Sequence, residues 1–347
     1  EDDEVMDYGN QLYDKLWKPI LPFVRGRETV YLIPDGILHL LPFDAIVDDQ
    51  QDYLIQKYQL NILSSARDIV VPPLPAATGE FTIFAGPDYD IENKKEEIKK
   101  ASGKRGANID RGMRISSHGL RSLSFEPLDG AEIEGETIAK ITSDKKQTSL
   151  MLTQKQAEES ALRGFKQPPK MLHIATHGFF LKAEERLKRR LLSASRGGRQ
   201  TTPPPGDNPL LRAGLAFAGI NSNAPFLGDI DTDNDGVLTA MEVLGLKLSG
   251  TQLVVLSACE TGVGEIHAGE GVYGLRRSFQ EAGVHSVINS LWPVSDEGTR
   301  LLMTEFYNEL YQGLSPRDAL RNAQKSMLNS EWNHPYYWAA FVVVAKK

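Results

Sequence analysis

A chain of 347 residues with 41% hydrophobic and 24% charged side chains can bury one large core or two smaller ones, and its composition is that of a globular protein. The formal net charge of −7 argues against a nucleic-acid-binding surface as the main function, and a single cysteine excludes an internal disulfide. No apolar run approaches the roughly 20 residues that span a bilayer. The acidic opening Glu1-Asp2-Asp3-Glu4 lacks the order of a signal peptide, so the cytoplasm is the expected compartment; a start without Met predicts a fragment or processed chain.

Residues 7–24 have helical spacing, with Tyr13, Leu16, Trp17, Ile20 and Leu21 available for one face. Residues 29–33 read as a strand, Pro34-Asp35-Gly36 as a turn, 53–55 and 58–62 as further strands, and 71–75 as a linker. From there the pattern is regular. It predicts a strand at 81–85, a helix at 131–142, a strand at 149–152, and a helix capped by Thr153 and running to Phe165. A strand then ends at His177 and another at Cys259. Beyond them come a helix over 271–282, a strand at 286–291, helices near 296–312 and 316–328, and a last strand at 338–344. Short β runs alternating with helices imply an α/β fold with a doubly wound, mostly parallel sheet flanked by helices. Residues 1–78 are expected to pack as an N-terminal strand and helix region on a catalytic domain of 79–347. Two stretches, about 91–127 and the basic, Pro-rich 182–209, read as long loops; the second is a solvated insertion, a lid or a cleavage site.

The two strands that end at His177 and Cys259 carry the chemistry. Leu172-His173-Ile174-Ala175-Thr176-His177-Gly178 and Leu253-Val254-Val255-Leu256-Ser257-Ala258-Cys259-Glu260-Thr261-Gly262 are apolar runs that stop at a reactive side chain with glycine close behind. Ligands bind at the carboxyl ends of parallel strands, so the two residues can converge. A thiol with an ordinary pKa of about 8.5 needs activation, which a histidine supplies as general base before it protonates the leaving amine. The developing oxyanion needs fixed N–H donors. Gly178 and Cys259 are the candidates. Free cysteines are commonly buried as small hydrophobes, and it is the shared context of strand, reactive residue and glycine that singles out this pair. His173, on the same strand face as Ala175 and His177, reads as a satisfied core or supporting residue.

These motifs resemble the CHAT domain, the bacterial caspase-like cysteine peptidases related to separase, caspases and gingipains. The likeness runs along nearly the whole chain: Ile33-Pro34-Asp35-Gly36 with Leu41-Pro42-Phe43, Leu128-Asp129-Gly130-Ala131-Glu132, Ser290-Leu291-Trp292-Pro293-Val294, and His334-Pro335-Tyr336-Tyr337-Trp338-Ala339-Ala340-Phe341. The resemblance implies a caspase-like fold, a His177/Cys259 dyad, thioester chemistry without a cofactor, and a protein substrate. It implies a regulatory repeat or sensor region outside this chain, and places Trp292, Val294 and Asp296 in the substrate-binding loop. Asp296 can select a basic residue before the scissile bond; Arg300, a helical turn on, can select an acidic one or pair with Asp296. No third residue orienting the dyad is assigned.

Asp231-Thr232-Asp233-Asn234-Asp235-Gly236-Val237-Leu238-Thr239-Ala240-Met241-Glu242 matches a calcium loop: acids at positions 1, 3 and 5, Gly at 6 and Glu at 12. Asp231, Asp233, Asp235, the Val237 carbonyl and Glu242 would be the ligands of a structural or activating calcium ion. The competing reading is a helix N-terminus, with Thr239 as cap and Glu242 completing the box. The functional rival is a catalytically silent pseudoprotease acting as an interaction or calcium-sensing module; an intact dyad argues against it.

Overall fold

Leu253-Val254-Val255-Leu256 and Phe341-Val342-Val343-Val344 carry bulky apolar side chains on both faces, the pattern of strands covered from both sides. The computed structural model describes residues 2–72, 74–91, 125–180, 209–211, 213–223, 234–258, 265–267, 271–292 and 295–346. It gathers these runs into one eight-stranded sheet. Its strands are β1 (Thr29–Leu32), β2 (Gln59–Ile62), β3 (Phe81–Pro87), β4 (Ser149–Gln154), β5 (Met171–Ala175), β9 (Leu253–Ser257), β12 (Ser286–Ser290) and β13 (Phe341–Ala345). Across the sheet the order is β1-β2-β13-β12-β9-β5-β3-β4. Every neighbouring pair is parallel except β12 with β13. A second sheet of three antiparallel strands holds β6 (Gly178–Phe180), β7 (Ala213–Ala216) and β8 (Val237–Thr239), and β10 (Glu265–His267) pairs with β11 (Gly271–Tyr273).

The alternation of side chains along each strand divides the core in two. Ile83, Ala175, Val255 and Ile288 meet one set of helices: α2 (Asp129–Asp144), α4 (Asp296–Leu310) and α5 (Pro316–Leu328). Phe84, Ile174, Leu256 and Val287 face the other side, with α3 (Leu275–Glu281) and the turn Ala240–Val243. Helix starts follow from local chemistry. Ser295 and Ser315 accept the backbone N–H of Gly298 and Asp318, and Pro316 opens α5, where a missing N–H costs nothing. Helix α2 lies close on β3 because Gly135 has no Cβ; one there would collide with Ala85.

The N-terminal region, which opens with α1 (Asp2–Leu12), is built into the sheet rather than laid over it. Ile62 of β2 pairs with Val344 of β13, and Trp17, Leu54 and Leu60 share a core with Leu291, Val342 and Val344. Arg317 of α5 donates to both carboxylate oxygens of Asp44, at 3.0 and 3.1 Å, and both residues are buried.

Four elements differ from the sequence expectation. Residues 54–57 form a helical turn, Leu54–Lys57, instead of a strand, because Gln56 turns back to accept the Tyr53 N–H. Thr153 does not cap a helix. It stays in β4 paired with Ala85, the chain turns at Gln154 with φ 50°, and the next helix is only Glu159–Arg163. Residues 271–273 pair with β10, so α3 starts at Leu275. The last strand begins at Phe341, because Pro335–Trp338 is a helical turn in which the His334 ring accepts the Tyr336 N–H. Residues 92–124 and 181–208, which cover most of the two long loops, lie outside the described residues. No described helix is long and apolar enough to cross a membrane.

Candidate active site

Ala175 of β5 and Ser257 of β9 are direct partners across the parallel ladder. His177 and Cys259 each lie two residues beyond that pair, past the carboxyl ends of adjacent strands. Cys259 itself, with Val294, Asp231 and Asp233, lies outside the described residues. Buried Ala258 leads the chain toward the cysteine, and its carbonyl accepts the Ser290 hydroxyl from β12.

His177 is positioned by residues that follow β3. The rings of Tyr89 and Phe125 sit 5.3 and 5.5 Å from its imidazole, and Nε2 is 2.9 Å from the Glu126 carbonyl oxygen. A carbonyl can only accept, so Nε2 carries the ring proton and Nδ1 keeps its lone pair. The Glu126 carbonyl thus holds the His177 ring, a contact that sequence reasoning did not assign. Its signal was weak, because a backbone carbonyl leaves no trace in residue type. The backbone is fixed as well. The His177 N–H donates to the Tyr89 hydroxyl at 3.4 Å, which lies 2.9 Å from Thr176 Oγ1, and Thr176 donates to the Ala216 carbonyl.

Gly178 opens β6. The Ala216 N–H donates to the His177 carbonyl, which makes Gly178 and its partner Leu215 the pair that exchanges no hydrogen bonds. The Gly178 N–H therefore points away from β7.

A small cleft of about 50 Å³ opens beside these strand ends. Trp292 and Asp296 border it, and Arg300 is not among its described lining residues. Trp292 is fixed by its indole N–H, which donates to the Tyr336 carbonyl at 3.0 Å. Glu134 of α2, missed in the sequence, lies in the wall and is only 5% exposed. Its Oε2 accepts the Ser257 hydroxyl at 2.9 Å. His173 stands behind it, fully buried, with Nε2 3.2 Å from Glu134 Oε1 but out of line for a hydrogen bond. The other ring nitrogen of His173 meets the Tyr307 hydroxyl at 3.0 Å, and burial pushes that phenol well above its usual range, so it stays protonated. His173 is a buried core residue, as the strand alternation predicts, but only Nδ1 is hydrogen-bonded, while Nε2 lies against the Glu134 carboxylate without a hydrogen bond.

The family model described as the CHAT domain matches residues 6–346. This chain belongs to the CHAT domain family. Tetratricopeptide repeat protein 28 of Mus musculus is 23% identical over 343 residues, and that of Homo sapiens 24% over 345; each alignment covers 96% of this chain and 13% of the relative's length. Among solved structures, a Saccharomyces cerevisiae separase–securin complex aligns with a TM-score of 0.49 at 11% identity, over 91% of this chain and 15% of that one. The Arg specific cysteine proteinase gingipain R aligns with a TM-score of 0.49 at 9% identity, over 100% and 67%.

The acidic loop of this CHAT domain shows a helix start at its described end. Thr239 accepts the Glu242 N–H, and Glu242 Oε2 accepts the N–H and hydroxyl of Thr239 at 2.7 and 2.8 Å. Glu242 Oε1 accepts from Arg163 at 3.0 Å. Both carboxylate oxygens are therefore engaged, and bidentate metal ligation would require Arg163 and Thr239 to let go. Asp235 accepts the Val237 N–H as a local turn, and Val237 starts β8. No group of three or more His, Cys, Asp or Glu suited to a metal ion occurs among the described residues.

Proposed function

We propose that this CHAT domain is a caspase-like cysteine endopeptidase that cleaves a protein substrate through Cys259 and His177. The observation that supports it is the Ala175–Ser257 register, which sends His177 and Cys259 off adjacent strands at equal distance, together with an imidazole whose Nδ1 is the nitrogen left to act as base. In this reading Nδ1 takes the Cys259 thiol proton as sulfur bonds to the scissile carbonyl carbon. The N–H groups of Gly178 and Cys259 hold the oxyanion. The carbon–nitrogen bond breaks, the amine leaves with the proton from His177, and a thioester remains. Water then attacks the thioester, His177 takes a water proton, and the released thiolate recovers it.

The relatives' name, tetratricopeptide repeat protein, and the 13% of their length that matches support a regulatory helical-repeat region outside this chain. Calcium binding by Asp231, Asp233, Asp235, the Val237 carbonyl and Glu242 would require Arg163 and Thr239 to release Glu242, and a melting transition unchanged between calcium and chelator would reject it.

The test is labelling by electrophilic peptide probes. Label is expected on Cys259, absent in Cys259→Ala, and slower by about 10²-fold or more in His177→Ala. Undiminished labelling in His177→Ala would sink the dyad. A chain that neither reacts with probes nor cuts a fluorogenic peptide library is the pseudoprotease instead.

A further inference from the structure

We infer that Asn221 is a positioning residue for His177, acting through the backbone of Phe125 and Glu126. The inference rests on the peptidase reading, in which His177 is the base, and adds a residue outside the dyad. Asn221 lies in the helical turn Ile220–Asn223 that follows β7. Its Oδ1 accepts the Phe125 N–H at 2.9 Å, and its Nδ2 donates to the Phe125 carbonyl at 2.9 Å. The second Nδ2 hydrogen goes to Asp90 Oδ1, also at 2.9 Å. These partners fix which way round the amide sits, because an N–H needs an acceptor, whereas a carbonyl and a carboxylate need donors.

Residues 125–128 belong to no described helix or strand. Asn221 gives Phe125 the pair of hydrogen bonds that a residue on a neighbouring strand would give. The carbonyl of the next residue, Glu126, is the one that meets His177 Nε2 at 2.9 Å. The same turn also holds the segment after β3. The Asn221 N–H donates to the Tyr89 carbonyl at 2.9 Å, and the Ser222 hydroxyl to the Asp90 carbonyl at 2.8 Å. Tyr89 and Phe125, whose rings stand beside the imidazole, are therefore both tied to Asn221.

One acceptor and two donors on a single short side chain is a set that serine, aspartate and leucine lack. Without it the Phe125 N–H and carbonyl lose their partner, and the Glu126 carbonyl is no longer held against Nε2. The ring proton then has no fixed acceptor, and neutral imidazole divides between its two tautomers. The fraction that carries its proton on Nδ1 cannot take one from the thiol there.

Nitrogen NMR of histidine-labelled Cys259→Ala at about pH 8, above the ordinary histidine range, reads the tautomer. The His177 signal is assigned by its loss in His177→Ala. The expected result is the Nε2–H form, with widely separated nitrogen shifts. Adding Asn221→Leu, close in shape but without polar side-chain atoms, should draw the two shifts together. In the chain that keeps its thiol, Asn221→Leu should lower the maximum rate of peptide-probe labelling about tenfold or more. The probe concentration at half-maximum should stay the same. Asn221→Asp keeps the acceptor for the Phe125 N–H but loses both donors, and is read in the same way if Asn221→Leu does not melt cooperatively. A tautomer other than Nε2–H before the substitution, or one unmoved by it, overturns the inference and leaves the peptidase standing. So does unchanged labelling by a cooperatively folded variant. If neither variant melts cooperatively, Asn221 serves the fold as a whole and the inference falls. Failure of every probe on the unaltered chain overturns the peptidase reading, while the tautomer experiment, made without the thiol, still decides the role of Asn221.

Discussion

Gly130 shows how much a single absent methyl group can decide. Asp296 rests where a Cβ on Gly130 would be, so Gly130→Ala must drive that carboxylate outward or shift the start of α4. The expected outcome is a loss of about 1–3 kcal/mol in urea unfolding, and an unchanged midpoint would show that Asp296 gives way at no cost. At this scale the sequence was legible where chemistry and periodicity coincide. His177 and Cys259 stand out because each ends an apolar run before glycine, and Trp292 because it sits in a recognisable motif. Glu126 acts through its carbonyl, and Glu134 through burial beside Ser257, which is far away in sequence. Neither property is written in residue type, although the motif Leu128-Asp129-Gly130-Ala131-Glu132 lies between them.

At the scale of elements, Arg163 ties the short helix Glu159–Arg163 to the acidic loop. Its guanidinium donates to Glu159 at 2.7 Å and to Glu242 at 3.0 Å. From Glu242 the connection runs through the Thr239 cap to β8, then β7, whose Ala216 N–H holds the His177 carbonyl. Glu159 is fully buried with Oε2 lacking a hydrogen-bond partner, and burial raises its carboxyl pKa from 4.5 to about 7, with Arg163 opposing and Glu242 and Asp235 adding to the rise. The folded state holds this proton more tightly than the open chain. Stability from Glu159 is therefore complete below 4.5 and is lost as pH rises through about 7. His39 slopes the other way, because burial and Arg276 lower its pKa from 6.5 to about 4. Comparing wild type with Glu159→Gln cancels His39. The variant's melting temperature should gain on wild type between about pH 5 and about pH 8; a constant difference would refute the assignment. Long helices such as α4 and α5 were legible through periodicity and serine caps. The turn at 54–57 was not, since three apolar residues fit strand and helix equally well and the Gln56 cap decides.

Over the whole molecule, the N-terminal region and the C-terminal strand are one structural unit. The predicted boundary near residue 78 rested on a proline-rich stretch, but sheet pairing passes across it from β2 to β13. Such long-range pairing has no local signature. The Asp44–Arg317 pair is the polar counterpart of that union, and removing one partner strands a buried charge. Asp44→Ala should cost about 3–5 kcal/mol in urea unfolding, with the loss seen in one cooperative transition. A separate early transition would show that the region unfolds independently.

The reversal between β12 and β13 has a further consequence. β5, β9 and β12 run toward the cleft, whereas β13 begins beside it at Phe341 and, like β2 and β1, runs away. Segments that follow β2 and β13 open on the opposite rim of the sheet. Evolution can lengthen or redecorate that rim, or graft binding surfaces onto it, without reshaping the walls around His177. One sheet thereby offers a fixed workplace on one edge and room for change on the other.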